Sequence, residues 1–569
     1  MPTTNTEADR VKAYKRRWKA LLQKRERMLS LWRELRDVVN PERFEFEDEA
    51  KDAGDNLYSK IYNNTPLLAA GTESAGMMTH HTSPSTIWFQ LDVPGVPQEE
   101  LDQDARIWLV EVQLTYMLLF ARSNIYTRML EVYEDLVTPG TGVMFTEEDR
   151  EDGLRAFVLP CGTYCVATGA NGRVNSLYRV VKMTVAQMVE KFGLEACGPK
   201  VRELFERGDF DLERKILHVV EPRSLRNPEM LDSKNMAWAS LWMEVEGSDQ
   251  EGFLRESGYR SCPFQAPRWA VFSTDAYGRS SAMRALGDAK ELQALELEHA
   301  KIVQKISRPA MTGPSELQNN PVDLTPDGFT AIAGDGRLQA AYVPDYQALV
   351  AIREDILRCE RRVDRAFHAD LFRLLVDDDR ANNKTAEEIR AKSQERLMQL
   401  GPVLERVNDE FLDPFFDRVF DIAMELKLLP EPPQSLQGRE VRVTYISVLA
   451  SAQRMLRTAG LERLVQFTMG LAQADVSAVK KLSVARLISL YSEMVGADPR
   501  ALKSEKEMAA EAAAEARAIE QQQAAEQMNQ VTQSVKNLGQ TPMDKGNALG
   551  ALMGSLGPIA AAAAPESQV

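Results

Sequence analysis

Consecutive carboxylates at Asp377-Asp378-Asp379 open a polar run that continues through Arg380, Asn382, Asn383 and Lys384. Such a triplet can offer oxygens to a divalent cation, but in a run this polar it reads first as a solvated acidic loop. His80-His81 is another pairing with metal-ligand chemistry. Adjacent side chains point apart, and no nearby cysteine or paired acid completes a tetrahedral set. Cys161 and Cys165 share a strand face and lie too far apart for one zinc ion. Asp48-Glu49 and Glu147-Glu148-Asp149 have the composition of exposed acidic turns, not of spaced acid–base pairs. No Gly-rich loop ends in Gly-Lys-Ser/Thr, so ATP hydrolysis is not expected, and no G-x-S-x-G elbow frames a nucleophile. The sequence therefore predicts no catalytic residue, no cofactor and no bound metal.

The elements that would position these side chains are mostly helices. The longest runs from 384 past 426, with Leu397, Leu400, Leu404, Val407, Phe411, Phe415, Val419, Ile422 and Leu426 at steps of three or four. Thr385 and Glu388 form a capping-box pattern at its start, and Gly401-Pro402 and Pro414 should kink it. Further helices are expected over 7–39, 66–79, 98–122 and 126–137. The first has a basic face of Lys12, Lys15, Arg16, Arg17, Lys19, Lys24, Arg25 and Arg27. From Gly140 to Ser273 the period shortens to that of strands, over 142–148, 156–160, 163–167, 176–183, 216–220, 237–245 and 269–272. Thr184 with Gln187 caps a short helix that Gly193 closes. This is an α+β body. Helix returns over 281–307 and 345–375, separated by a Pro/Gly-rich segment, 309–344, in which helix cannot persist. Within it, 329–332 and 338–343 have strand character.

The net charge of −15, from 69 basic and 84 acidic residues, argues against a tight grip on phosphates. It suits a surface that repels DNA as well as it suits plain solubility. Five scattered cysteines do not make a disulfide framework. The N-terminus has charges but no apolar core behind them, so a signal peptide is not expected. The uncharged stretch Gly546–Pro565 reads as a mobile tail, not a membrane span.

The string TAEE…LGPVLERVNDEFLDPFFDRVF…LPEPP…VTYISVLA resembles the portal, or head-to-tail connector, proteins of short-tailed bacteriophages. Ser123-Asn124-Ile125-Tyr126, followed by Leu136 and Gly140-Thr141-Gly142, is similar to that family's wing signature. Tyr277-Gly278-Arg279-Ser280 resembles its lead-in to the first stem helix. The resemblance spans roughly residues 10–500. It implies a mainly helical portal fold, assembled as a ring, of twelve copies in the family, around a channel for double-stranded DNA. The wing would comprise 1–280 and the kinked helix with its link, 385–443. The stem helices would be 281–308 and 345–373, the clip 309–344, the tunnel loop 374–384 and the crown 444–500. An Ala/Gln-rich helix and tail, 501–569, matches nothing usable.

By the same resemblance, Asp377–Asp379, Arg380, Asn382, Asn383 and Lys384 would face DNA in the channel. Arg353, Glu354, Glu360, Arg361 and Asp364, off the apolar stripe, would line the stem. Ser315, Gln318, Asn319, Asn320, Asp327, Asp335 and Arg337 would form the docking surface of the clip. The implied partners are further copies of the chain, double-stranded DNA, a terminase motor, tail adaptor and tail proteins, and major capsid and scaffolding proteins, with no membrane. The implied place is the capsid portal vertex of the virion, after assembly in the host cytoplasm. A capsid-internal ejection protein without a channel and a nucleic-acid-processing enzyme are the alternatives. The basic face of 10–27 is open to three readings: contact with DNA, contact with an acidic neighbouring subunit, or a solvated helix face.

Overall fold

The computed structural model describes residues 6–46, 56–96, 101–230, 232–246, 252–309, 311–312, 339–340, 345–376, 400–446, 461–468, 487–488, 491 and 505–538. They belong to two compact units, Met1–Ala497 and Asp498–Val569. In the second, the Ala- and Gln-rich sequence forms one helix, Glu505–Leu538.

The first unit starts with α1 (Glu7–Val38). Thr6 caps it by accepting the backbone N–H of Asp9. Its first half lays Val11, Trp18 and Leu21 on a five-stranded antiparallel sheet. That sheet has the order β4 (Tyr164–Thr168), β5 (Val174–Thr184), β6 (Glu213–Pro222), β7 (Trp238–Glu244), β8 (Arg255–Tyr259). Side chains alternate across a strand. Leu217 and Val219 therefore pack under α1. Ile216 and Trp242 pack on the other face, under α5 (Val185–Phe192) and α6 (Pro199–Arg207). The expected Thr184–Gln187 capping box and Gly193 stop are both present.

Much of the basic face of α1 is used inside the chain. Arg17 pairs with Glu221 at 2.7 Å. Arg25 is buried and donates to the carbonyls of Gly162 and Tyr164 at 2.7 and 3.1 Å. Lys15 is buried too, while Lys12, Arg16, Lys19, Lys24 and Arg27 are exposed.

A smaller sheet places β2 (Met144–Asp149) between β3 (Gly153–Val158) and β9 (Phe264–Gln265). Glu147-Glu148-Asp149 thus ends a strand and is not a turn. The strand expected over 269–272 does not form. The backbone there is tied elsewhere: Trp269 N–H goes to the Gly140 carbonyl at 3.0 Å, and just before it Arg268 N–H goes to the Glu410 carboxylate at 3.2 Å. The main core gathers α2 (Thr65–His81), α3 (Gln103–Arg122), α4 (Ile125–Val137) and the second half of α1. β1 (Phe89–Asp92) joins it by pairing with β12 (Arg442–Tyr445) in antiparallel register.

The kinked helix is present from residue 401. It comprises Gly401–Val407, a widened turn Asn408–Leu412 and Asp413–Glu425, together α10. Val407, Phe411, Phe415, Val419 and Ile422 are buried, as the apolar stripe requires, and Leu400 just before the helix is buried as well. Residues 385–399, with Leu397, lie outside the described residues, as do Asp48, Glu49, the 329–332 segment and everything after 538.

Candidate functional site

Two helices project from the core: α7 (Ser281–Ser307) and α8 (Tyr346–Ala366). Ser280 caps α7 by accepting the Met283 N–H at 3.0 Å, and Asp345 caps α8 through the Gln347 N–H at 3.1 Å. The first half of α7 buries Ala282, Ala285, Leu286, Ala289 and Leu292. The matching end of α8 buries Ile356, Cys359 and Val363. Small residues on α7 allow this close approach. Arg362 then bonds Asp288 at 3.0 Å and Glu291 at 2.6 Å, and the Cys359 thiol donates to the Asp288 carbonyl at 3.1 Å. Asp288, Glu291 and Cys359 have the spacing of metal ligands. Arg362 satisfies both carboxylates, which gives the group a structural explanation.

Toward their far ends both helices leave apolar side chains exposed: Val303, Ile306 and Val350 are 44%, 39% and 43% exposed, and Leu357, on the outer side of the packed half of α8, is 46% exposed. Beyond the helices, β10 (Met311–Thr312) pairs with β11 (Gln339–Ala340) in antiparallel register.

The base of the projection is built where two sequence motifs meet. The amide of Gly278 donates to Thr141 Oγ1 at 2.7 Å, and the Ser280 hydroxyl to the Thr138 carbonyl at 2.7 Å. A side chain on Gly278 would stand 2.2 Å from the Gly140 carbonyl oxygen, and Gly140 itself has φ +88°. Only glycine allows this backbone-on-backbone contact. Tyr277 meets Trp32 edge-to-face at 5.2 Å, and the Trp32 indole N–H reaches the Pro139 carbonyl at 3.3 Å.

The second helix is not continuous. It stops at Ala366 and resumes as α9 (Ala369–Val376), with His368 at φ +51° between them. The expectation of one helix over 345–375 is corrected here. The fully buried carboxylate of Glu73, on α2, sits beneath the break. It contacts His368 Nδ1 at 2.7 Å and accepts from the Ser281 hydroxyl at 3.1 Å. Burial pushes its pKa up to about 7, against the opposing pull of His368, Ser281 and Arg284. One turn on, Phe372 lies over Gly76, where an added Cβ would be 2.3 Å from the ring.

The residues expected to line the stem divide into two sets. Arg353, Glu354 and Arg361 are exposed. Glu360 accepts from the Asn63 side-chain amide at 3.0 Å, and Asp364 accepts from Arg373 at 2.8 Å, so both are held within the subunit. Asp377, Asp378, Asp379, Arg380, Asn382, Asn383 and Lys384 lie outside the described residues. So do Ser315, Gln318, Asn319, Asn320, Asp327, Asp335 and Arg337. His80 Nδ1 contacts the Gly76 carbonyl at 2.7 Å. His81 is buried, and burial holds it down to about 4.

Two anchors escaped sequence reasoning. One is Glu73, whose signal was a lone acid on a helix of small and apolar residues. The other is Arg268 with Glu410, a buried forked pair with contacts of 2.6 and 3.0 Å. Nothing local marks it, because the partners are 142 positions apart.

Residues 11–502 match the family described as "Bacteriophage head to tail connecting protein". The chain belongs to that family. It is 35% identical over 541 residues to the "Probable portal protein" of Bordetella phage BPP-1, covering 94% of this chain and 96% of the relative. It is 34% identical over 534 residues to the "Portal protein" of Salmonella phage epsilon15, covering 93% and 95%. Among solved structures, a chain of "Neck of empty GTA particle computed with C6 symmetry" aligns over 70% of this chain and 86% of its own, at 11% identity and a TM-score of 0.35. The protein has the structural role of a portal protein. Its first unit mixes helix and sheet, and among the described residues no helix is long and apolar enough to cross a membrane.

Proposed function

We propose that the chain assembles into a closed ring of twelve copies at one capsid vertex, and that double-stranded DNA enters and leaves the capsid through its centre. In this reading 281–308 and 345–373 form the stem around the channel. The clip, 309–344, docks the terminase motor during packaging and tail adaptor proteins afterwards. Residues 374–384 approach the DNA at the narrowest point. Residues 1–280 and 385–443 form the wing, which faces major capsid and scaffolding proteins, and 444–500 form the crown. Assembly takes place in the host cytoplasm. The chain is not an enzyme in this reading, and the partner motor supplies the force.

The observation that carries the proposal is the projecting helix pair. It leaves Val303, Ile306 and Val350 exposed toward its far end, and Leu357 on its outer side, where the subunit does not cover them. Apolar groups held away from their own core stabilise a structure only if a neighbour buries them, at about 25 cal/mol per Å². Repeating one such head-to-tail contact around an axis closes a ring. Native mass spectrometry and negative-stain imaging of the purified chain test this. Rings with a central hole are expected, and monomers and dimers alone at micromolar protein would refute it.

A further inference from the structure

One face of the five-stranded sheet gathers positive charge over aromatic rings. The Arg179 guanidinium lies 4.5 Å from the Phe145 ring, the Lys191 ammonium 4.1 Å from the Trp242 ring and the Arg418 guanidinium 5.1 Å from the Tyr259 ring. Arg255 stands exposed beside them. His218 adds no charge. Its Nδ1 accepts from Arg179 Nε at 3.0 Å, which leaves Nε2–H to meet Ser240 at 3.0 Å. None of the four cations forms an ion pair among the described residues, and Arg418 is only 5% exposed. Burial lowers the pKa of Arg179, Lys191 and Arg418 against the pull of Glu147, and Arg418, which lies on α10 itself, also feels Glu425 and Asp421 of its own helix. Lys191 and Arg255, both exposed and without an ion pair among the described residues, make this an anion-seeking surface on a chain whose net charge is −15.

The complementary surface is on the same chain. α10 carries Asp409, Asp413, Asp417, Asp421 and Glu425, one carboxylate every four residues. Like charges at that spacing oppose the helix by a few tenths of a kcal/mol per pair. The ends are compensated, by Arg173 at 3.3 Å from Asp409 and Arg260 at 3.4 Å from Glu425. Asp413 accepts the Tyr445 hydroxyl at 2.6 Å. Asp417 and Asp421 have no ion pair among the described residues. Burial, then Asp413, Asp421 and Glu440, push Asp417 up. Phe420 and Met424, 42% and 49% exposed, supply apolar contact on the same helix. Carboxylates four residues apart on a helix are spaced about 6 Å along its axis.

We propose that the Lys191–Arg255 platform of one subunit receives the Asp417–Asp421 face of a second copy, making a head-to-tail contact between neighbours. Two different patches meet, so the contact is heterologous and can close into a ring. Opposed patches also set the register and suppress wrong pairings. The inference rests on the ring reading above.

Charge reversal in the full chain tests it. Lys191→Glu with Arg255→Glu, and separately Asp417→Lys with Asp421→Lys, are each expected to lower the ring population at least about tenfold, with the monomer still folded by circular dichroism. Combining all four substitutions should restore rings. If either pair assembles as the parent chain does, or if the folded fourfold variant stays monomeric, the inference is overturned. It is equally overturned if the Lys191/Arg255 variant keeps its rings and loses only DNA binding, because the platform is then a nucleic-acid surface. A parent chain that forms no ring refutes the ring reading itself, and this contact with it.

Discussion

Glu73 is fully buried, and its second carboxylate oxygen has no hydrogen-bond partner. Burial raises its pKa from the ordinary 4.5 to about 7. The folded state therefore binds a proton that the unfolded chain has released across that interval. The stability this group contributes is complete below about pH 4.5 and is lost as pH rises through about 7. Each unit within the window costs up to about 1.4 kcal/mol. Glu73→Gln removes the titration and keeps the shape. Its stability relative to the parent chain should rise between pH 5 and pH 7. Thermal midpoints of the two proteins across that range check this, and parallel pH profiles would show that Glu73 does not titrate there. The groups facing it, His368 and Arg284, remain in both proteins. The Arg268–Glu410 pair works differently: its forked contacts also reach the Gly172 and Asp275 carbonyls, tying the strap before α7 to α10.

The element scale is where glycines decide. Gly278→Ala would place a methyl group 2.2 Å from the Gly140 oxygen, 3.0 Å from Arg268 Cβ and 3.0 Å from the Trp269 nitrogen. These neighbours are largely backbone and cannot step aside. A loss of about 2–4 kcal/mol is expected, read as a lower denaturant midpoint. Gly287→Ala, in the interior of α7, is the contrast. Nothing lies within 4 Å of its added Cβ, so helix propensity alone acts, and a gain of up to about 1 kcal/mol is expected. The kink in α10 follows the same local logic. Pro414 cannot donate to a carbonyl one turn back, and the widened turn before it, with Asp413 N–H bonded to the Asn408 carbonyl, absorbs the mismatch.

For the whole molecule, in the ring proposed above, the decisive quantity is charge near the DNA channel. Asp377, Asp378 and Asp379 would repel phosphates, while Arg380 and Lys384 would attract them. The Debye length at physiological salt is about 8 Å, so only a loop close to the duplex acts on it. Such a loop would keep DNA centred through weak contacts without holding it. Replacing the three aspartates by lysine should increase DNA retention and slow packaging and ejection, most at low salt. Normal rates for the triple variant at both low and high salt would mean that this loop is not the constriction.

By itself the sequence determined most of the long helices, the Thr184–Gln187 cap and the apolar stripe of the kinked helix. The stripe from Leu400 to Ile422 and the Thr184–Gln187 box were legible because helix period and capping depend on residues within one or two turns. The order of helix, Pro/Gly-rich segment, helix and kinked helix was legible for the same reason, and the family resemblance with it. Tertiary structure alone decided what those elements meet. The pairing of Thr141 with Gly278, of Glu73 with His368 and of Arg268 with Glu410 joins residues 137, 295 and 142 positions apart. Propensity carries no signal at that range, since such contacts depend on how whole faces pack. The same holds for the break at His368. Its φ of +51° is unfavourable for histidine and leaves no mark in an apolar stripe that runs on through Phe367 and Leu371. It persists because Glu73 below and Phe372 on Gly76 hold α9 away from the axis of α8.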